Sequence, residues 1–113
     1  MNLRPEATPK ALVIHVEEDR IDAMVSIQFK EDIHTLTENA SERVILDMAQ
    51  VTFLDSSGLG AIVAVMRRLA PERRLELAGL TPAVAKVFRL TRMDTMVRLH
   101  DTVETAIALP SVA

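Results

Sequence analysis

The chain has 113 residues, 49% of them apolar, which suits one globular domain with its own core and excludes a disordered linker. Thirteen Lys and Arg against sixteen Asp and Glu leave a net charge of −3, and the only aromatics are three Phe, so direct nucleic-acid binding is not expected. With no cysteine, disulfides, thiolate catalysis and thiolate metal centres are excluded.

Residues 1–10, with Pro5 and Pro9, read as a lead-in or an edge strand. Ala11-Leu12-Val13-Ile14-His15-Val16 is a β-rich run, and the acidic turn 17–20 follows it. From Met24 onward, Val25, Phe29, Ile33, Leu36 and Ala40 recur at spacings of three and four, which predicts an amphipathic helix. Lys30, Glu31, Asp32 and Glu38 fall off its apolar face, and Asp22 reads as its N-cap. Val44-Ile45-Leu46 is a continuous apolar run, as in a strand buried on both faces.

Segment 52–58 is a polar elbow, after which Leu59, Ile62, Val63, Met66 and Leu69 mark a second helix that Pro71 ends. Leu75 and Leu77 alternate with Glu76 in a further strand. Thr81-Pro82 opens a third helix, with Pro at its first position and Val84, Val87 and Phe88 on one side. Val97 and Leu99 suggest a last strand. Asp101 then caps a short final helix, with Glu104 in the capping-box position and Val103 and Ile107 apolar.

This alternation predicts a single α/β domain: a mixed sheet of about four or five strands flanked by about four helices. Its expected core contains Val13, Ile14, Val44, Ile45, Leu46, Ile62, Val63 and Phe88. The domain is expected to span 11–109, with 110–113 a tail. The longest uncharged apolar stretch, 58–66, is nine residues, about half of a membrane span, and the first ten residues lack the apolar run of a signal peptide. A cytoplasmic domain without membrane insertion is expected.

The most informative loop is Phe53-Leu54-Asp55-Ser56-Ser57-Gly58-Leu59-Gly60, between a strand and a helix, where α/β domains favour chemistry. In plain terms it is a capped helix start: Asp or Ser caps the helix, and Gly58 and Gly60 allow tight backbone. It also presents two adjacent hydroxyls at a helix N-terminus, where the partial positive charge and unpaired N–H groups accommodate a phosphate.

Val44-Ile45-Leu46-Asp47 followed by Val51-Thr52-Phe53-Leu54-Asp55-Ser56-Ser57-Gly58-Leu59-Gly60 closely resembles the STAS domain of bacterial anti-sigma factor antagonists. Ile21-Asp22, Leu80-Thr81-Pro82-Ala83-Val84, Val87-Phe88 and Asp101-Thr102-Val103-Glu104-Thr105-Ala106 resemble further landmarks of that family, so the resemblance covers about residues 11–109. It implies a partner switch rather than an enzyme, with no cofactor. The unphosphorylated antagonist binds an anti-sigma factor, usually a serine kinase, and frees a sigma factor. Phosphorylation releases the antagonist, and a metal-dependent serine phosphatase resets it.

Matched position by position, the phosphoacceptor falls on Ser56, and Ser57 is the neighbouring helix-start hydroxyl. Asp22, Asp55, Ser56, Ser57 and Gly58 then form the partner-binding region. The resemblance places Asp22 beside the phosphoacceptor, a role compatible with capping. Two departures stand out. Asp19 occupies a position where the family usually has Gly, so the acidic turn bears on partner choice. Thr91-Arg92-Met93 stands where the loop after the third helix usually has one.

His15, His34 and His100 are scattered, with neither HxH nor HExxH spacing, so no metal site is expected. Gly58-Leu59-Gly60 is a lone GxG without a phosphate-binding lysine motif, and Ser56 lies in no GxSxG. The pairs Arg67-Arg68 and Arg73-Arg74 read as a solvated helix end and loop, or as a contact with an acidic partner. The alternative function is a STAS regulatory subunit of a membrane transport complex, although such relatives often lack an intact Asp-Ser-Ser-Gly. The first strand and the free face of the helix beginning at Ser57 offer surfaces for a homodimer or for a partner.

Overall fold

The computed structural model describes residues 1–109, so the expected tail 110–113 lies outside the described residues. In chain order the elements are β1 (Leu3–Ala7), β2 (Leu12–Val16), β3 (Arg20–Ile21), α1 (Ser26–Leu36), β4 (Arg43–Asp47) and β5 (Phe53–Leu54). Then come α2 (Ser56–Leu69), β6 (Arg74–Ala78), α3 (Pro82–Leu90), a 3-10 turn (Met93–Thr95), β7 (Arg98–His100) and α4 (Val103–Ala108). Five strands form one sheet in the order β1-β2-β4-β6-β7, in which only β1 runs antiparallel to its neighbour. The mixed five-stranded sheet and four α-helices are those the alternation predicts. The segment 1–10 supplies its first edge strand. A second, two-stranded parallel ribbon pairs β3 with β5.

Alternation along each strand divides the apolar residues between the two faces. Ile14, Val16, Val44, Leu46, Leu75 and Leu77 face a large core closed by Phe29 and Ile33 of α1, Ala61, Ile62, Val65 and Leu69 of α2, and Val84 and Phe88 of α3. Val13, Ile45 and Ala78 point the other way, where Ala106 of α4 covers them in a smaller cluster. Seven of the eight expected core residues are buried; Val63 is half-buried. Successive helical residues turn by about 100°, so a stripe centred on Ala61, Ile62, Val65 and Leu69 leaves Val63 on the flank.

Two helix starts differ from expectation, and a third keeps its residues without a side-chain cap. Val25, with no side-chain cap, precedes α1; Asp22 lies further upstream, where its Oδ1 accepts the Met24 N–H at 3.1 Å. Thr81 does precede α3 with Pro82 at its first turn, but its hydroxyl donates to the Val51 carbonyl at 2.7 Å instead of capping. Thr102, not Asp101, caps α4, in a reciprocal box with Thr105 rather than Glu104. Asp22 is held locally, by Arg20 and the Met24 N–H, while Thr81 is drawn to the loop at Val51 and Ala106 of α4 is buried against the sheet.

In the Thr91-Arg92-Met93 loop after α3, Arg92 adopts the left-handed conformation with φ 60°. That conformation is disfavoured by roughly 1–2 kcal/mol for a residue with a Cβ. Asp19 needs no such backbone. Its carbonyl accepts N–H bonds from Thr52 and Phe53 at 2.8 and 3.2 Å and the Thr52 hydroxyl at 3.1 Å.

Candidate functional site

The Asp19 bonds seat the acidic turn on the entry to the Ser56 loop, and the β3–β5 ribbon continues the seam by pairing Arg20 with Phe53 and Ile21 with Leu54. Arg20 donates from Nε to Asp22 Oδ2 at 2.9 Å, and its guanidinium carbon lies 5.0 Å from the centre of the Phe53 ring. The segments around Asp22 and Asp55 are therefore one surface, although 33 positions separate those two residues in sequence.

Asp55 joins them. As N-cap of α2 its Oδ1 accepts the Gly58 N–H at 2.8 Å, and its Oδ2 accepts the Ala23 N–H at 3.2 Å. Both oxygens are committed to backbone donors, one from each loop. Gly58 is buried directly against β3, and a Cβ there would collide with the Ile21 carbonyl oxygen. Its value is close approach rather than backbone freedom. Gly60, by contrast, has nothing within 4 Å of its Cβ position, so the expected tightness applies to Gly58 alone.

Ser56 and Ser57, the first two residues of α2, are exposed, and their hydroxyls have no hydrogen-bond partner among the described residues. Exposure does not separate them. Sequence reasoning missed the apolar side chains on the same segments: Met24, Ile27 and Phe53 are 90%, 67% and 46% exposed. A signal existed, because Met24 and Ile27 fall outside the Val25, Phe29, Ile33 stripe.

No histidine contacts either serine among the described residues. His15 sits between Glu6 Oε1 and Asp47 Oδ2 at 2.7 and 2.6 Å, His34 Nε2 lies 3.2 Å from Arg68, and His100 lies 2.6 Å from Glu76. Among the described residues, no three or more His, Asp or Glu gather to hold a metal ion, and no helix is long and apolar enough to cross a membrane.

The strongest electrostatic cluster lies on the α4 side of the sheet. Arg43, 2% exposed, donates Nε and Nη2 to Glu76 at 2.8 and 2.7 Å and reaches the Ala106 carbonyl at 2.9 Å. Burial pushes the Glu76 carboxyl up, but hydrogen bonds from Arg43 and His100 outweigh it and hold the group below its ordinary value of 4.5.

Comparison with known proteins agrees with this geometry. The profile of the STAS domain matches residues 2–106. The chain belongs to the STAS domain family. Over 106 residues it is 20% identical to the anti-sigma-B factor antagonist of Staphylococcus aureus, covering 92% of this chain and 98% of that one. It is 28% identical to the anti-sigma factor antagonist SpoIIAA of Bacillus, covering 94% and 93% of the two chains with a TM-score of 0.73 for the unphosphorylated form; a phosphorylated form is also known. A sulfate transporter family protein of Wolinella succinogenes, 16% identical, superposes with a TM-score of 0.73 over 85% of this chain and 80% of its own, which shows the shared fold alone.

Proposed function

We propose that this STAS domain is a cytoplasmic anti-sigma factor antagonist that binds an anti-sigma factor when Ser56 is unmodified and releases it when Ser56 is phosphorylated. The observation that carries the reading is the placement of Ser56: an exposed, unbonded hydroxyl directly after an Asp55 cap whose carboxylate is already spent on two loops. The SpoIIAA relative, which has a phosphorylated form, supports the assignment.

The partner is a serine kinase that supplies ATP and the base. Ser56 Oγ attacks the γ-phosphorus, the bond to the β-phosphate oxygen breaks, and the serine proton passes to the kinase. A serine phosphatase reverses the change with water. The added phosphate brings about −1.5 to −2 charge to the first turn of α2, where the helix terminus favours it. The fold therefore survives modification. The interface does not, because the new charge stands beside Asp55 at a surface that a neutral hydroxyl had occupied. Met24, Ile27 and Phe53 supply its apolar contacts, Asp22 and Ser57 its polar rim, and Gly58 the close packing underneath.

Ser56→Ala is expected to accept no phosphate and to keep the affinity of the wild type. Ser56→Asp is expected to bind about a hundredfold or more weakly, as the loss of a few kcal/mol at an interface requires. Incubation with the kinase and ATP, phosphosite mapping and titration of both variants check this; phosphate on Ser57 would overturn the assignment. The transport-subunit alternative rests on the Wolinella likeness, and co-purification with a permease in place of an anti-sigma factor would favour it.

A further inference from the structure

Away from the serine loop, the packing of α1 on α2 leaves a cavity of about 300 Å³ between their C-terminal halves. Lys30, Ile33 and His34 on α1 and Thr37 at its C-cap recur at spacings of three and four and line the cavity with Val65, Arg68 and Leu69 of α2 and with Arg73. The site lies about 18 Å along α2 from Ser56, twelve residues at 1.5 Å each, and shares no residue with the surface described above.

Its charge is at odds with the rest of the chain. The protein carries −3 overall, yet three cationic side chains line this one cavity against the single carboxylate of Glu38. None of the three is neutralised by a carboxylate among the described residues. Lys30 has no ion pair, and Arg68 meets only His34, donating from Nη2 toward Nε2 at 3.2 Å. Arg73 donates Nε and Nη2 to the backbone carbonyls of Ala40 and Glu38 at 3.2 and 3.0 Å, which orients its guanidinium without cancelling its charge. The floor is apolar: Ile33, Val65 and Leu69 are all buried. Thr37 also turns its hydroxyl away, donating to the Ile33 carbonyl at 2.7 Å.

Cations held at the rim of an apolar hollow are complementary to a molecule with an anionic head and an apolar body, and arginine matches phosphate oxygens in particular. We propose that this cavity binds a small organic phosphate, with its phosphate among Lys30, Arg68 and Arg73 and its body against Ile33, Val65 and Leu69. The volume is at the small end of ligand cavities, which sets the size class.

The test is titration of the full chain with phenyl phosphate, followed by amide shifts in NMR spectra, with inorganic phosphate and phenol as the separate head and body. Phenyl phosphate is expected to give saturable shifts centred on Ile33, Thr37 and Val65, with Kd below about 1 mM and at least roughly tenfold tighter than inorganic phosphate. Lys30→Gln and Arg68→Gln should each weaken binding by about tenfold while leaving the spectrum of the free protein folded. The absence of saturation at about 10 mM would overturn the proposal. So would shifts centred on Ser56 and Gly58, or an affinity unchanged in Arg68→Gln. Equal affinity for inorganic phosphate would overturn the role of the apolar floor.

Discussion

Asp55 and Glu76 each anchor a hydrogen-bonded cluster, yet the two regions are built in opposite ways. Asp55 is half-buried at the start of α2 and binds two backbone N–H groups from different loops. Glu76 is enclosed in the middle of β6 and accepts hydrogen bonds from two side chains, Arg43 and His100, with Arg74 Nε a further 3.6 Å ion-pair partner. The first cluster ties loops together and leaves a neighbouring serine open to water. The second satisfies its own charges and presents nothing. The Asp55 carboxylate is bonded by neutral donors at an open surface, whereas removing either member of a buried ion pair strands the other. One region thereby keeps the open surface that the proposed switch requires, and the other holds the sheet.

The largest effect is expected at the enclosed cluster. Glu76→Ala strands the Arg43 guanidinium in a buried site and should lower stability by about 3–5 kcal/mol in urea unfolding. A loss below about 1 kcal/mol would mean that water reaches Arg43, and the contrast with Asp55 would fail. Acid probes the same pair. Because folding depresses the Glu76 carboxyl below 4.5, its stabilising contribution is complete above that value and is lost as pH falls through the folded-state value.

The serine loop answers next. Gly58→Ala drives a methyl into the Ile21 carbonyl and should destabilise by about 1–3 kcal/mol, with α2 displaced from β3. Gly60→Ala, two residues on, meets open space on an exposed helix face and should stabilise by roughly 0.5–1 kcal/mol. Thermal melting of the pair separates close packing from glycine content. Equal effects would show that the seam between β3 and α2 is loose.

The smallest effect is a pH dependence. His15 lies between Glu6 on β1 and Asp47 on β4, on the face that α4 partly covers, with Arg4 and Glu17 paired nearby at 3.2 Å. Burial pulls the imidazole down, but hydrogen bonds to Glu6 and Asp47 outweigh it and raise the group above 6.5. The stabilisation is full below 6.5 and is lost as pH rises through the raised value. His15→Asn should flatten melting temperature against pH across that window. An unchanged slope would place the dependence elsewhere.

The motif residues were legible because their signal is local. A buried strand, an Asp cap, two serines and a glycine lie within the fifteen positions 44–58, and the spacing of Phe29, Ile33, Val84 and Phe88 marks the helix faces that the core buries. Glu76 was not legible in the same way. Between Leu75 and Leu77 it has the pattern of a strand with a wet face, and only the arrival of α4 from the end of the chain encloses it. Arg43, which sequence reasoning did not single out, is buried beside it. Arg92 shows a third case: an absent glycine marked the loop, but its left-handed backbone emerges only from the path between α3 and β7.

Sequence by itself determined the order of the main strands and helices, the main apolar faces and the serine loop, because each depends on residues within a few turns of one another. It did not determine the β3–β5 ribbon, whose segments read as a turn and an elbow. Tertiary structure decided what those elements meet. It brought Ala23 to Asp55, rotated α2 so that Val65 rather than Val63 is buried, set Lys30 and Arg68 on one cavity, and gave Arg43 its carboxylate. Contacts across 30 to 40 positions follow from how helices seat on a twisted sheet, and no local spacing encodes that geometry.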